Sequence, residues 1–134
     1  MVPRLLVAAL LLGHALIHLG FVSPRPPATA GGPAWPFELS RSWLLDALGA
    51  GSDLNRLVGT ALIAVTVAGF ALAVLAAVGV MPTLWAAGIA AGAVGSLGVL
   101  VLFFHPWLTL GLAIDLALLW VVLVARWTPE SLAA

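Results

Sequence analysis

The chain contains no cysteine and no lysine. Without cysteine there is no disulfide, no thiolate metal site and no thiol nucleophile. The redox compartment is left open by the same absence. Without lysine, the five basic residues are all arginine, and five acidic residues balance them to a net charge of zero. That excludes a basic patch for nucleic acid and a lysine-rich tail for anionic lipid. Charge of either sign is scarce, at 7% of residues, where a water-soluble domain carries roughly 25%. So few charges cannot cover a water-facing surface, and the lipid bilayer is the expected main solvent. H-E-x-x-H, a Gly-rich phosphate loop and a nucleophile elbow are also missing. No cofactor is strongly implied, and a non-enzymatic role is favoured.

What is present is apolar. Hydrophobic residues make up 63% of 134, enough for one domain. The bias toward Ala, Gly, Val and Leu, with Arg in place of Lys, matches what GC-rich bacterial genomes produce. A multi-pass protein of the bacterial cell membrane is therefore expected. A spanning helix needs about 20 mostly apolar residues, and four stretches qualify. The first runs from Pro3 to Val22, where Ser23-Pro24-Arg25-Pro26-Pro27 stops it, because proline cannot donate a backbone bond. The second runs from Leu54 to Val80, with Ser52 or Asp53 as its cap. The third runs from Pro82 to Phe104 and the fourth from Pro106 to Arg126. Proline suits the first helical turn of both. The joints Gly79-Val80-Met81-Pro82 and His105-Pro106 are short, so each pair they connect should be antiparallel neighbours. The fold class expected is all-α: an integral membrane antiparallel four-helix bundle, residues 1–134 forming one domain.

The loop from Ser23 to Asp53 is long. Its first part is rich in Pro, Gly and Ala. Its second part, Phe37 to Leu48, spaces Phe37, Leu39, Trp43, Leu44 and Leu48 to suit a short interfacial helix. An ordered loop without a helix is the alternative. Arg4, the first apolar run and Ala28-Thr29-Ala30 also fit a cleavable signal segment. The run is long enough to span, however, and His14 and His18 interrupt it, so retention is expected. Arg4 and Arg126 lie on the side of both termini and Arg25, Arg41 and Arg56 on the other. The two that directly abut their helices favour termini inside.

Gly88 and Gly92 form a G-x-x-x-G pair in the third span, extended by Ser96. Small residues let helix backbones approach in lipid. Contact within the bundle and a homo-oligomer face are the two readings, and a membrane partner is a third possibility for the chain as a whole. By this pattern Gly92 should be more sensitive to added bulk than Gly69 of the second span. Trp35, Trp43, Trp85, Trp107 and Trp127 read as interfacial anchors, Trp120 and the Phe103-Phe104 pair as packing. Asp53 and Arg56 read as a local cap and ion pair, Glu38 and Asp46 as solvated.

Four ionisable residues stand out: His14, His18, His105 and Asp115. Such groups inside a membrane are costly, face the bundle interior and often mark function. His14 and His18 share a helix face, one turn apart. At 1.5 Å per residue from the loop-side ends, His14 and Asp115 are each about 12 Å deep and His18 about 6 Å. His105 stands at the mouth of the same half. Gly111, one turn before Asp115, would let a neighbour approach. Two imidazoles with a carboxylate suit zinc, iron or copper. Histidines also ligate haem or relay protons near neutral pH. Structural glue between the first and fourth helices is the plainer reading. Any metal would fall to His14 and His18. The function expected is a small transport, permeation or accessory subunit; a redox, metal- or haem-binding subunit is the alternative.

The stretch Gly13-His14-Ala15-Leu16-Ile17-His18-Leu19-Gly20-Phe21 resembles the first helix of a group of small four-helix bacterial membrane proteins of unknown function. Members open with H-G-x-I-H-x-x-G-F; here Gly13-His14 reverses the leading pair. Phe103-Phe104-His105-Pro106-Trp107-Leu108, followed by Gly111 and Ile114-Asp115-Leu116, is similar to the later part of actinobacterial-type members. In architecture the chain is also similar to the broader DoxX-like proteins, some of which are subunits of quinone-linked oxidoreductases. The resemblance implies the four-helix topology and draws attention to His14, His18 and Asp115. It implies no activity.

Overall fold

The structure is a computed structural model and describes residues 2–27, 30–32 and 35–131. Within them the fold is all-helical, with no strand. Four helices are long and apolar enough to cross a membrane: Val2–Phe21, Ser52–Ala77, Pro82–Leu102 and Pro106–Leu123. The α-helical parts are α1 (Val2–His18), α3 (Ser52–Ala77), α4 (Trp85–Leu102) and α5 (Thr109–Leu123), with a short α2 (Trp43–Ala47) in the long loop. Ala28 and Thr29 of the signal-like triplet lie outside the described residues.

Each helix ends a little before its apolar run does, for local reasons. α1 tightens into a 3₁₀ turn over Leu19–Phe21, and Ser23 donates from both its backbone N and Oγ to the Leu19 carbonyl, at 3.0 and 2.8 Å. α3 stops at Ala77, not Val80. Gly79 takes φ +89°, and Gly79 and Val80 donate back to Ala76 and Leu75, the double bond of a Schellman cap. Its N-cap is Gly51, without a side-chain bond, so neither Ser52 nor Asp53 plays the expected role. Pro82 and Pro106 each open a 3₁₀ turn ahead of the α-helix. The fourth helix ends at Leu123, short of Arg126, which has a left-handed φ of 53°.

Packing follows chain order: α1 lies on α3, α3 on α4 and α4 on α5, and backbone approach between α1 and α5 is slight. The α3–α4 contact is the tightest. A Cβ built at Gly88 would lie 2.8 Å from the Ala73 nitrogen, and one at Gly95 2.8 Å from Thr66 Oγ1. A Cβ at Gly92 would lie 2.6 Å from the Phe70 ring. The row containing Gly88, Gly92 and Ser96 is buried, its glycines turned against α3 within the chain. Gly69 is equally confined, because a Cβ there would fall on the Gly92 backbone, 2.7 Å from its Cα. Gly92 is therefore not the more crowded of the two, contrary to the sequence pattern.

The long loop folds onto the ends of α3 and α4. Its helix covers five residues rather than the whole stretch from Phe37 to Leu48. Ser42 caps it and also donates to the Leu102 carbonyl at 2.7 Å, and Trp43 Nε1 donates to the Val101 carbonyl at 2.7 Å. Asn55, fully buried, donates to Asp46 Oδ1 at 2.6 Å and the Ser40 carbonyl at 3.2 Å. Asp46 is thus a fastening point rather than a free surface charge. Among the described residues Asp53 and Arg56 form no ion pair; the surface pair is Arg25–Glu38 at 3.9 Å. Two more expectations change. Trp85 is buried, 3% exposed, and donates to the Trp127 carbonyl. Trp120 and Phe104 face outward, whereas Phe103 is in the core.

Candidate functional site

Between the two apolar core clusters sits one polar network drawn from three helices. α1 contributes His14 and His18, α4 contributes Ser96, and α5 contributes Asp115. Their exposures are 5, 1, 0 and 0% in that order. His14 Nε2 lies 2.9 Å from Asp115 Oδ1. Ser96 Oγ is hydrogen-bonded to Asp115 Oδ2, and lies 2.8 Å from His18 Nε2 and 3.3 Å from His14 Nε2. His18 Nδ1 lies 2.9 Å from the His14 carbonyl, one turn back.

Local structure explains the convergence. Spacing of four on α1 puts both imidazoles on one face, with ring centres 5.2 Å apart. Phe70 of α3 closes one wall, its ring 5.3 Å from His14. Gly111 leaves room for Leu100 Cδ1, which a Cβ would meet at 2.8 Å, and for the His14 edge at 3.7 Å. A small cavity of about 140 Å³, lined by His14, His18, Gly111 and Ile114 among others, reaches the network between α1 and α5.

Proton positions follow from what each atom can do. A carbonyl oxygen only accepts, so His18 Nδ1 carries a hydrogen and donates to His14 O. In neutral His18, Nε2 is then an acceptor and needs a hydrogen from Ser96. With Asp115 ionised, the single Ser96 hydrogen is wanted by both Asp115 Oδ2 and His18 Nε2. One additional proton removes the conflict, and it has two homes. On His18, Nε2–H donates to Ser96 and Ser96 donates to Asp115. On Asp115, Oδ2–H donates to Ser96 and Ser96 donates to His18. These two states interconvert by two short hops through Ser96 and leave the network with no net charge, which a buried site demands. The arrangement is therefore suited to holding a proton.

His105 is not brought into this network. It is half-buried at the start of the turn before α5, where its Nδ1 accepts from the Trp107 backbone N at 3.2 Å. Among the described residues no group of three or more His, Asp or Glu side chains is arranged as a metal-binding set. His14 and His18, the candidate ligands, have their Nε2 atoms engaged with Ser96 and Asp115. Ser96 is the member that spacing reasoning assigned to packing alone. A depth count exposes it: nine residues before His105, it is about 13 Å from the mouth, level with His14 and Asp115.

No family profile, curated protein or solved structure matches the chain.

Proposed function

We propose that the chain is a multi-pass membrane protein of four antiparallel spans, and that its buried network holds and passes one proton in a non-enzymatic transport, permeation or accessory role. The membrane part is supported by apolar side chains left outward, among them Leu6, Leu16, Leu57, Leu110, Leu116 and Leu123, each at least 55% exposed. A water-soluble monomer rarely carries so continuous an apolar surface. The antiparallel part is supported by the α3–α4 register, in which Ala73 meets Gly88 and Thr66 meets Gly95. A bacterial cell membrane belongs to the same reading and rests on composition; kinship with the small four-helix group rests on the residues quoted above, and likeness to the DoxX-like proteins on architecture alone.

The functional part rests on one observation: hydrogen bonds run unbroken from His18 through Ser96 to Asp115 and His14, with every member buried. The decisive experiment is proton flux in liposomes containing the full chain and a pH-sensitive dye. An imposed pH gradient should decay faster than in protein-free vesicles. Ser96→Ala keeps the His14–Asp115 bond and breaks the link to His18, so it should bring the decay back to the protein-free rate. Equal decay in vesicles with and without protein, or an unaltered rate in Ser96→Ala, would overturn the reading.

A further inference from the structure

A cavity of about 470 Å³ lies away from this network, under the long loop. One wall is cationic and hydroxylic: Arg25, Arg56, Ser23 and Thr60. The other is aromatic, with Trp35 and Phe37. Phe21, Phe37 and Trp35 are stacked edge to face, with ring centres 5.1 and 5.3 Å apart, so this wall is a built surface rather than a loose flap. Phe37 also fits against Gly20, where a Cβ would meet its ring at 3.1 Å.

Charge in this cavity is unbalanced. The one acidic lining residue, Glu38, has Oε1 occupied by the Ser40 backbone N at 2.9 Å and Oε2 3.9 Å from Arg25. The Ser40 hydrogen bonds, followed by the charges of Arg25 and Arg56, hold its carboxyl below the ordinary carboxylate range. Glu38 is therefore ionised and offsets one guanidinium, while Arg56 forms no ion pair among the described residues. Trp35 adds an indole N–H that is buried and meets no acceptor among the described residues.

We propose that this cavity binds an anionic group, phosphate or carboxylate, that carries an apolar portion. The oxygens meet Arg56 and Arg25, and the apolar portion lies on the Phe37 and Trp35 rings. Guanidinium forks suit both oxyanions. The assignment holds whether or not the buried network exchanges a proton. Two sources have this chemistry: a lipid headgroup at the membrane surface and a soluble anion.

Titration calorimetry on the full chain in neutral detergent separates them, with three probes: inorganic phosphate, a short-chain phosphatidylglycerol and a short-chain phosphatidylcholine. Binding of both anions supports the site with either source; binding of phosphatidylglycerol alone supports it with the lipid headgroup as the source. Arg56→Gln should weaken binding roughly ten- to hundredfold, as loss of one charge-assisted hydrogen bond does. Trp35→Ala, which removes part of the aromatic lining, should weaken phosphatidylglycerol binding by a smaller factor. Arg41→Gln, on the same loop but outside the cavity, should leave it unchanged. Failure of both anions to bind, equal binding of phosphatidylcholine, or equal losses in Arg41→Gln and Arg56→Gln would overturn the proposal.

Discussion

Where α3 meets α4, backbones touch; where α1 faces α5, side chains span a gap. In the first seam Gly69 and Gly88 bring main chain against main chain, and Gly92 and Gly95 seat the Phe70 ring and Thr66 directly on the α4 backbone. The second encloses a cavity of about 260 Å³ lined by residues such as Val7, Leu10, Ile114 and Leu118, and the smaller one beside His14. Among the described residues, its one direct side-chain hydrogen bond between α1 and α5 is the buried pair His14 and Asp115. The difference shows two ways to associate apolar helices. Dispersion across a close fit needs glycine and tolerates nothing larger. A hydrogen-bonded clasp needs two polar residues at one depth and leaves space around them.

The largest effect should follow from bulk in the glycine seam. Gly69→Ala directs a methyl into the Gly92 backbone, which cannot rotate aside. Overpacking of this kind costs about 1–3 kcal/mol or more, so thermal unfolding in detergent should occur at a clearly lower temperature. Unaltered stability would mean the seam is looser than its geometry. The clasp should matter next. A double-mutant cycle of His14→Ala and Asp115→Asn should give a coupling of about 0.6–2 kcal/mol; a value of zero would show the two groups to be independent. The smallest effect belongs to Gly111→Ala in the open seam. Its new methyl meets the far end of Leu100, which can swing away, and helix propensity improves. The net change should stay within about 1 kcal/mol, and a loss as large as that of Gly69→Ala would erase the distinction between the seams.

The four long apolar helices were readable because length and hydropathy alone define them, and the stop of the first because Ser23 carries it locally, whereas α3 and α5 end short of their apolar runs. Equal depth also put His14 and Asp115 at one level before any packing was known. Rotation about each helix axis was not readable. These helices are apolar nearly all round, so no moment reveals which face turns inward. That is why Trp85 and Trp120 exchanged places between rim and core, and why Ser96 was grouped with glycines. Gly69 was ranked below Gly92 because its crowding comes from Gly92 on another helix. Asp46 and Arg56 were misjudged for the same reason: their partners, Asn55 and the cavity under the loop, come from folding of the loop onto α3, which local spacing does not encode.

The fastening of α2 to the end of α4 has a consequence in time. Ser42 and Trp43 close the carbonyls of Leu102 and Val101, which a helix C-terminus otherwise leaves without partners. The donors precede their acceptors by 60 and 58 residues. A ribosome adding roughly 5–20 residues per second delivers those acceptors roughly 3–12 seconds later. During that interval the loop can hold only the first two long helices, through Phe37 on Phe21 and Asp46 on Asn55, and its grip on α4 must wait for the third. Biogenesis of this bundle therefore cannot finish hairpin by hairpin from the N-terminus; its earliest loop is among the last pieces to settle.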